Sequence, residues 1–360
     1  MFSNQKIRPI FKNGRFYNFP DEPKTGIKGY SYMLRSLLHE IYIFIVSLKN
    51  GKSRIPKNFD QWVDSCKIPV RSQRLLITWI GHASFLIQVG NVNILTDPIF
   101  GDATFFFPRI FPAGIKIEDL PSIDYVIISH NHLDHMDSKS LIALKKLNPN
   151  ISILVPYGDK MWFEKRNFSR VYEAVWWEDF VFDAINKIKF TFLPAYHWSQ
   201  RTLFDQNKSL WGSWMIECSG YKVYFAGDTA YSRHFENISK YFHHIDVALM
   251  PIGPCEPREK MCLSHINAEE AGRAFLDLGA KNFIPMHWGT YHFGTDNVDT
   301  PLNRIKSWWN NNQLNLISKF LHSLKIGQSV EFNLPQTQKI ISQATSQILS
   351  SSHPASPSKS

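Results

Sequence analysis

Short apolar runs, each bounded by glycine, proline, asparagine or aspartate, recur along the chain from residue 75 onward. They are rich in β-branched and aromatic residues, which is typical of strands. The runs fall into two groups, and helical stretches follow strands in both. The predicted strands cover residues 75–80, 85–89, 92–95, 125–129 and 151–155 in the first group, and 188–194, 211–218, 222–226, 247–251 and 283–286 in the second.

Stretches with helical apolar spacing predict helices at residues 138–147, 232–242, 268–278 and 302–311. The third has the clearest ends, because Asn267 and Glu270 have the spacing of a capping box and Gly279 would end the helix in the left-handed conformation. Two groups of strands with their own helices predict two sheets packed together between outer helices. The expected fold class is α/β, a four-layer α/β/β/α sandwich with an N-terminal extension.

The chain divides into three predicted segments. Residues 1–73 mix proline, lysine, asparagine and aromatic residues around one amphipathic helix at 34–49, and we expect them to pack on the core as an extension. Residues 74–335 form the predicted α/β domain. Residues 336–360 are rich in serine, glutamine and proline, a composition that predicts disorder.

No segment has the pattern of a signal peptide or of a membrane span. The apolar run 41–48 is shorter than the ~20 residues that cross a bilayer, so packing on the domain is the favoured interpretation and lying on a membrane surface the alternative. Four widely spaced cysteines without a CxxC pair predict reduced thiols and a cytoplasmic location.

The net charge of +9 favours anionic partners such as phosphate esters or anionic lipid surfaces, although a generally basic, solvated surface would give the same value. The sequence contains no basic cluster interleaved with aromatic residues, which is the usual mark of nucleic-acid binding. Nucleic acid is therefore not an expected partner.

Four potential metal ligands directly follow the predicted strand at 125–129: His130, His132, Asp134 and His135. Side chains two residues apart in extended backbone point the same way, so His130 and His132 can reach one ion. Asp134 and His135 come one short turn later and can face an adjacent ion. Imidazole and carboxylate are ligands of Zn²⁺, and manganese or iron would accept the same set.

Four residues cannot complete two coordination spheres, and three further candidates follow apolar strands. They are His197, Asp228 and His287, each at the carboxyl end of its strand. Gly227, immediately before Asp228, would permit a close approach of the backbone. With the first cluster these residues supply three ligands for each of two metal ions and one carboxylate able to bridge them.

The order His-x-His-x-Asp-His, a distant histidine, Gly-Asp-Thr and a final histidine resembles the metal pattern of the metallo-β-lactamase superfamily. Within it, the chain is most similar to the N-acyl-phosphatidylethanolamine-hydrolysing phospholipase D group, over about residues 74–295. The blocks that carry the similarity are Thr78-Trp-Ile-Gly-His-Ala-Ser, Leu95-Thr-Asp-Pro-Ile-Phe, Ile128-Ser-His-Asn-His-Leu-Asp-His-Met-Asp, Trp176-Trp-Glu, His197-Trp-Ser-Gln-Arg-Thr-Leu, Leu210-Trp-Gly-Ser-Trp, Phe225-Ala-Gly-Asp-Thr, Pro251-Ile-Gly, Glu256-Pro-Arg, His265 with Glu269-Glu-Ala, and His287-Trp-Gly-Thr.

The resemblance implies a division of the ligands between two zinc ions: His130, His132 and His197 for one, Asp134, His135 and His287 for the other, with Asp228 bridging. It implies His265 as an additional active-site histidine. It also implies hydrolysis of N-acyl-phosphatidylethanolamine-like phospholipids to N-acylethanolamine and phosphatidic acid, with another phosphodiester as an alternative substrate. A homodimer with peripheral membrane contact is implied in the same way.

Two ions held about 3.5–4 Å apart would lower the pKa of a shared water and neutralise phosphoryl charge. The predicted catalytic residues are Asp134, Asp228, which can accept the water proton, and His265, which would donate to the leaving alcohol or to a phosphoryl oxygen. Asp97 either accepts a hydrogen bond from a ligand histidine or stabilises its turn. His82 either has a similar supporting role or is simply buried in its turn. Arg201 either meets phosphate or lies on the surface.

Three alternatives keep part of this interpretation. A lactonase, or another small-molecule hydrolase of the same fold, would use the same metals, but Trp-Gly-Ser-Trp, Glu-Pro-Arg and Gln-Arg-Thr-Leu favour the phospholipase. A metallonuclease would use the basic surface, and it ranks low for want of a nucleic-acid-binding segment. A non-catalytic metal-binding scaffold is disfavoured because the ligand set is intact.

Overall fold

The computed structural model of the chain describes residues 5–19, 61–64, 67–182 and 188–333. Numbered along the chain, its strands are β1 (Ile10–Lys12), β2 (Arg15–Tyr17), β3 (Leu75–Gly81), β4 (Ser84–Val89), β5 (Val92–Thr96), β6 (Tyr125–Ile127), β7 (Ser152–Pro156), β8 (Val171–Ala174), β9 (Asp179–Phe182), β10 (Ile188–Leu193), β11 (Ser213–Cys218), β12 (Tyr221–Phe225), β13 (Val247–Pro251), β14 (Asn282–Met286), β15 (Phe320–Leu321) and β16 (Ser329–Phe332). Its α-helices are α1 (Ser138–Leu147), α2 (Lys160–Glu164), α3 (His234–Ser239), α4 (Arg258–Met261), α5 (Ala268–Leu278) and α6 (Thr300–Asn311).

Two seven-stranded sheets form the centre of the fold, and β1 and β2 form a separate hairpin. The first sheet has the order β16-β3-β4-β5-β6-β7-β8, with parallel pairing from β5 to β8. The second has the order β15-β14-β13-β12-β11-β10-β9, with parallel pairing from β12 to β15. The remaining neighbours within each sheet are antiparallel.

Alternate side chains of the first sheet enter two different cores. On β4, Phe85 and Ile87 belong to the core that also contains the second sheet, whereas Leu86 belongs to a core shared with α1 and α2. On β6, Ile127 and Val126 divide in the same way. Both faces of the sheet are therefore buried, which explains why these strands read as continuous apolar runs.

Helices cover the outer face of each sheet, so the predicted four-layer α/β/β/α sandwich is confirmed. Leu141 and Leu144 of α1 pack against the first sheet. Phe235 of α3 and Phe275 of α5 pack with the strands of the second sheet. Ile305 of α6 belongs to the same cluster.

All ten predicted strands are present, with ends shifted by a few residues. Helices α1 and α5 have the predicted bounds, and α5 begins with the capping box of Asn267 and Glu270 and ends at Gly279, whose φ is 69°. The predicted helix at 232–242 was too long, because α3 ends at Ser239 and the chain continues in turns. Six strands were missed: β1, β2, β8, β9, β15 and β16.

The described part of the N-terminal segment contacts the core. Phe16 N donates to Asn207 O at 2.7 Å, and Trp177 Nε1 donates to Ile7 O at 2.7 Å. The predicted helix at 34–49 and the whole predicted disordered tail, residues 336–360, lie outside the described residues.

Within the described ranges, no helix combines the length and apolarity needed to cross a membrane. Three of the four cysteines fall within the described residues; Cys218, Cys255 and Cys262 form no disulfide there, and the first two are buried.

The strand directions bring several loops to one edge of the sandwich. Strands β3, β5 and β6 run the same way, because β3 and β5 are both antiparallel to β4 and β6 is parallel to β5. In the second sheet, β10, β12, β13 and β14 share a direction for the same kind of reason. The loops after these strands carry His82, Asp97 and His130 from one sheet, and His197, Asp228 and His287 from the other.

Candidate metal centre

The structure brings all seven predicted ligands together at this edge, in two adjoining groups. The first consists of His130 and His132, after β6, and His197, after β10. His132 Nδ1 lies 2.8 Å from His130 Nε2 and 3.4 Å from His197 Nε2. Three imidazole nitrogens thus converge on one point, as the spacing of two residues between His130 and His132 predicted.

The second group contains Asp134, His135 and His287, and it includes His82 as a fourth member. Asp134 Oδ2 lies 3.4 Å from His135 Nε2 and 3.0 Å from His82 Nε2. The ring of His82 packs on that of His287 with 4.1 Å between centroids. The sequence offered His82 only as a supporting or a buried residue, and the structure places it in contact with the predicted ligands.

Asp228 lies between the two groups. Its Oδ1 is 3.1 Å from His287 Nε2, and its Oδ2 is 3.3 Å from His135 Nε2. The same Oδ2 is 3.9 Å from Nε2 of His197, in the first group. A carboxylate in this position can contribute one oxygen to each of two neighbouring cations.

Four of the histidines are oriented by hydrogen bonds from the ring nitrogen that faces away from the cluster. Nδ1 of His197 donates to Ser264 O at 2.8 Å, and Nδ1 of His287 donates to Gly253 O at 2.9 Å. Nδ1 of His135 donates to Asp97 Oδ2 at 2.7 Å, and Nδ1 of His130 donates to Ser129 Oγ at 2.9 Å. Each of these bonds keeps a proton on Nδ1 and turns Nε2 towards the centre, which is the orientation that metal ligation through Nε2 requires.

Asp97 connects two of these histidines. It is fully buried after β5, where it accepts hydrogen bonds from Ser129 N, Ser129 Oγ and His135 Nδ1. Because Ser129 Oγ in turn accepts from His130, one carboxylate orients a histidine of each group. The predicted hydrogen bond from a ligand histidine to Asp97 is confirmed.

Backbone strain accompanies the site. His82, Asp97 and His287 have φ values of 54°, 31° and 60°, in a region that non-glycine residues seldom occupy. Gly227 has φ 58°, and a Cβ atom there would lie 2.5 Å from Ser129 Cβ. The predicted close approach at Gly227 is therefore present, between the loops that carry Asp228 and His130.

Burial and charge determine the protonation of the cluster. Burial lowers the pKa of His132 to about 4 and that of His197 to about 3, so both are neutral near pH 7. Although burial opposes it, the neighbouring His135 lowers the pKa of both Asp134 and Asp228 well below the usual range. Against its own burial, the charges of Asp228 and Asp134 raise the pKa of His135 well above its usual value.

The residues fit a pair of divalent cations. Two buried carboxylates remain ionised in a pocket whose other members are mostly neutral imidazoles, and such charge is costly to bury without a cation. In the part of the chain that the structure describes, several buried atoms that face the cluster lack a hydrogen-bond partner: His135 Nε2, Asp228 Oδ1, His265 Nδ1 and His287 Nε2. Metal coordination would satisfy these atoms.

His265 and Arg201 have different relations to the cluster. His265 Nδ1 is 3.6 Å from Asp228 Oδ2, so the histidine implied by the resemblance lies beside the predicted ligands. Arg201 neither lies free on the surface nor points at the cluster. It is half-buried, and it donates hydrogen bonds to the backbone of the loop that carries His132.

Known proteins that are similar to the chain indicate its family. The model of the beta-lactamase superfamily domain matches residues 92–288, more than half of the chain. A Caenorhabditis elegans protein named N-acyl-phosphatidylethanolamine-hydrolyzing phospholipase D 1 is 37% identical over 233 residues, which are 61% of this chain and 65% of that protein. The Saccharomyces cerevisiae mitochondrial protein of the same name is 35% identical over 222 residues, 59% of this chain and 47% of the relative. The chain thus spans less than two thirds of these relatives' length.

Solved structures share the fold. Igni18, a metallo hydrolase from Ignicoccus hospitalis, matches with a TM-score of 0.56 and 21% identity over 72% of this chain and 99% of that one. The diiron β-hydroxylase CmlA from Streptomyces venezuelae matches with a TM-score of 0.53 and 17% identity over 73% of this chain and 55% of that one. At such identities these matches show the fold alone. Taken with the family match, they show that the chain belongs to the metallo-β-lactamase superfamily and, within it, is similar to the N-acyl-phosphatidylethanolamine-hydrolysing phospholipases D.

Proposed function

We propose that the chain is a zinc-dependent phosphodiester hydrolase of the phospholipase D type. Its substrates would be N-acyl-phosphatidylethanolamine-like lipids, which it would cleave to N-acylethanolamine and phosphatidic acid. The observation that carries the proposal is the position of Asp228 between two groups of imidazole nitrogens, in a chain similar to relatives named for that activity. We assign the activity to a domain of residues 74–335, with residues 1–73 as its extension.

The proposed ligands of one ion are His130, His132 and His197. Those of the other are Asp134, His135 and His287, and Asp228 would be shared between the two. Imidazole-rich sets with one or two carboxylates suit Zn²⁺, while manganese and iron accept the same ligands.

Divalent cations bound here would supply Lewis acidity, which lowers the pKa of water towards neutrality and neutralises charge on a phosphoryl group. Asp228 is ionised and buried, and its Oδ1 is available, so it can accept a proton from the attacking water. The new bond joins water oxygen to phosphorus, the bond from phosphorus to the ethanolamine oxygen breaks, and the proton that Asp228 took from the water passes to the leaving alcohol. Asp134 holds its position by accepting a hydrogen bond from His82.

The neutral state of His265 selects between its two proposed roles. Burial lowers its pKa to about 3, so near pH 7 the ring carries no proton to transfer as imidazolium. Donation of a full proton to the leaving alcohol is disfavoured for that reason. A hydrogen bond from the neutral ring to a phosphoryl oxygen remains chemically sound, and we propose that role.

A lipid substrate implies contact with a bilayer surface. Side chains exposed on the ligand-bearing loops support such contact: Leu133 is 43% exposed, Leu203 63% and Phe204 73%. Peripheral membrane contact and a homodimer belong to this proposal as predictions from the resemblance, and a cytoplasmic location belongs to it as the prediction from the cysteine pattern. Sedimentation of the purified chain with phospholipid vesicles tests the first of them.

The central experiment is a turnover assay of the full chain after zinc loading. N-acyl-phosphatidylethanolamine, a bis-aryl phosphodiester and a lactone are offered in parallel, with Asp228→Asn as the matched variant. We expect N-acylethanolamine and phosphatidic acid in equal amounts, and a loss of at least about 10²-fold in the variant, since a positioned base contributes that much. Turnover of the lactone alone would overturn the lipid substrate, and a chain that binds no metal would overturn the whole proposal.

A further inference from the structure

One arginine ties together the segment that carries three of the proposed ligands. Arg201 Nη1 donates to Met136 O at 2.7 Å and to Asn131 O at 3.3 Å, and Arg201 Nη2 donates to Ser138 Oγ at 2.7 Å. These acceptors lie on both sides of residues 132–135, which include His132. A single guanidinium therefore fixes the beginning and the end of this segment relative to each other.

The guanidinium of Arg201 is partly removed from water in this position, and other groups compensate for the lost hydration. Burial lowers the pKa of Arg201, which means that its charge has been partly removed from water. Two carbonyls and a hydroxyl replace the lost hydration, and the ring of Trp162 lies 4.8 Å from the guanidinium carbon. Planar geometry with donors at several fixed directions is what allows three acceptors to be met at once.

The backbone of Arg201 is itself fixed relative to His197, four residues earlier. Asp205 Oδ1 accepts hydrogen bonds from the backbone nitrogens of Arg201, at 2.9 Å, and of Thr202, at 2.8 Å. Asn207 N donates to Ser199 O at 2.7 Å, which closes the turn. Arg201 thus connects the loop after β10, which carries His197, to the loop after β6, which carries His130 and its neighbours.

A second contact joins the same two loops independently. Asn131 Nδ2 donates to Asp159 Oδ1 at 2.9 Å, and Ser209 Oγ donates to the same oxygen at 2.7 Å. Asn131 stands between two proposed ligands, and Ser209 follows the turn that contains Arg201. The two loops are therefore connected directly by the guanidinium of Arg201 and indirectly through the buried carboxylate of Asp159.

We propose that Arg201 is a positioning residue for metal binding. By fixing residues 131–138 and their distance from His197, it holds the ligand nitrogens in the arrangement that the ions require. The loops then need not be ordered when a metal ion binds, so the free energy of binding is more favourable. This inference rests on the ligand assignment of the proposed function. It gives the Gln-Arg-Thr-Leu block a role that does not involve contact with phosphate.

The test compares the metal affinities of the full-length wild-type chain and of Arg201→Gln, Arg201→Lys and Arg166→Gln, by titrating zinc against a chromophoric chelator. Arg166 is the matched control, because its guanidinium carbon also lies over the ring of Trp162, at 3.9 Å, while its hydrogen bond goes to Trp162 O. We expect affinity about 10–100-fold weaker in Arg201→Gln, as for other residues that orient ligands. Arg201→Lys should lie between this variant and wild type, since an ammonium lacks the planar fork, and Arg166→Gln should match wild type.

Two results would overturn the role of Arg201. Unchanged zinc affinity in Arg201→Gln with a lower melting temperature of the chelated protein would make it a structural brace only. Unchanged affinity with a raised KM for the phosphodiester would make it a substrate contact. If Arg201→Gln does not fold, Arg201→Lys decides, because the proposal requires it to bind zinc at least several-fold more weakly. A wild-type chain that binds no zinc overturns the proposed function as well, which separates the two failures.

Discussion

Asp97→Asn is the sharpest test of how the chain orients its proposed ligands. In the wild type, Oδ1 accepts from Ser129 N at 2.7 Å, while Oδ2 accepts from Ser129 Oγ and from His135 Nδ1 at 2.7 Å. Asparagine has nearly the same volume, but one acceptor oxygen becomes an NH₂ donor. Either orientation of the amide leaves a buried N–H group facing another N–H group.

The variant can relieve this conflict by moving the proton of His135 from Nδ1 to Nε2. Nε2 faces Asp228 Oδ2 at 3.3 Å and is the atom proposed to bind the ion. A proton there removes the lone pair, so relief of the conflict directly opposes metal binding. We expect a loss of about 10–100-fold in affinity for the ion held by His135, which is about 1.4–2.7 kcal/mol.

The assay is a two-step zinc titration of the chelated protein against a competing chelator. One of the two dissociation constants should rise by the stated factor, and the other should rise less, because His130 is reached only through Ser129. Asp179→Asn is the control, since Asp179 lies on β9 and accepts from Thr191 Oγ1 at 2.6 Å. If both dissociation constants stay within twofold of wild type while the urea midpoint falls, Asp97 only stabilises its turn and the reasoning fails.

Three further predictions concern the same edge of the sandwich. Gly227→Ala should destabilise the protein by about 1–3 kcal/mol, because its Cβ would meet Ser129 Cβ at 2.5 Å and its φ is positive; urea unfolding measures this, and a change below 0.5 kcal/mol would contradict it. His265→Ala should lower kcat about tenfold or more at full metal content, and unchanged turnover would remove His265 from the mechanism. The pKa values of His132, about 4, and His197, about 3, lie below the unfolded value near 6.5, so the unfolded chain binds more protons in acid. The free energy of unfolding of the chelated protein, measured in urea, should therefore fall from pH 7.5 to pH 5, by up to about 1.4 kcal/mol per histidine per pH unit below 6.5. Equal free energies of unfolding at the two pH values would show that these rings are not held neutral.

The clustering of the proposed ligands was predictable because its signal is local. Each of His130, His197, Asp228 and His287 follows an apolar run closely, and parallel strands bring their carboxyl ends to one edge. The position of a residue relative to its own strand was enough to place it near the others. Helix α5 was predictable for a similar reason, since both of its end signals lie within the segment itself.

The partners of those ligands were not predictable in the same way. His82 meets His287 from across the sandwich, and the contact depends on left-handed backbone at both residues, with φ of 54° and 60°. Arg201 is separated from its acceptors by more than sixty positions, and its local sequence resembles that of any polar loop. Such contacts arise from tertiary packing, and a single sequence carries no local signal for them.

The missed strands have a common physical cause. Strands β8 and β9 have four residues each, β15 has two, and β8, β9, β15 and β16 lie at the edges of their sheets. An edge strand is half solvated, so its composition is mixed and its pairing is decided by the neighbouring strand. The predicted helix at 232–242 was too long for a different reason, because its apolar spacing continues past the end of α3 to Phe242, which is also buried in the core.

The segment that follows strand β13, residues 252–265, links the two proposed metal groups, although it carries no proposed ligand. Gly253 O accepts a hydrogen bond from His287 Nδ1, and Ser264 O accepts one from His197 Nδ1. These two histidines belong to different groups, and in both the bonded Nδ1 leaves Nε2 for the ion. Side-chain substitutions cannot remove a carbonyl acceptor, so the orientation of both rings depends on the conformation of this segment. The same segment brings His265 to 3.6 Å from Asp228, so it supports both proposed ion sites and the predicted substrate contact.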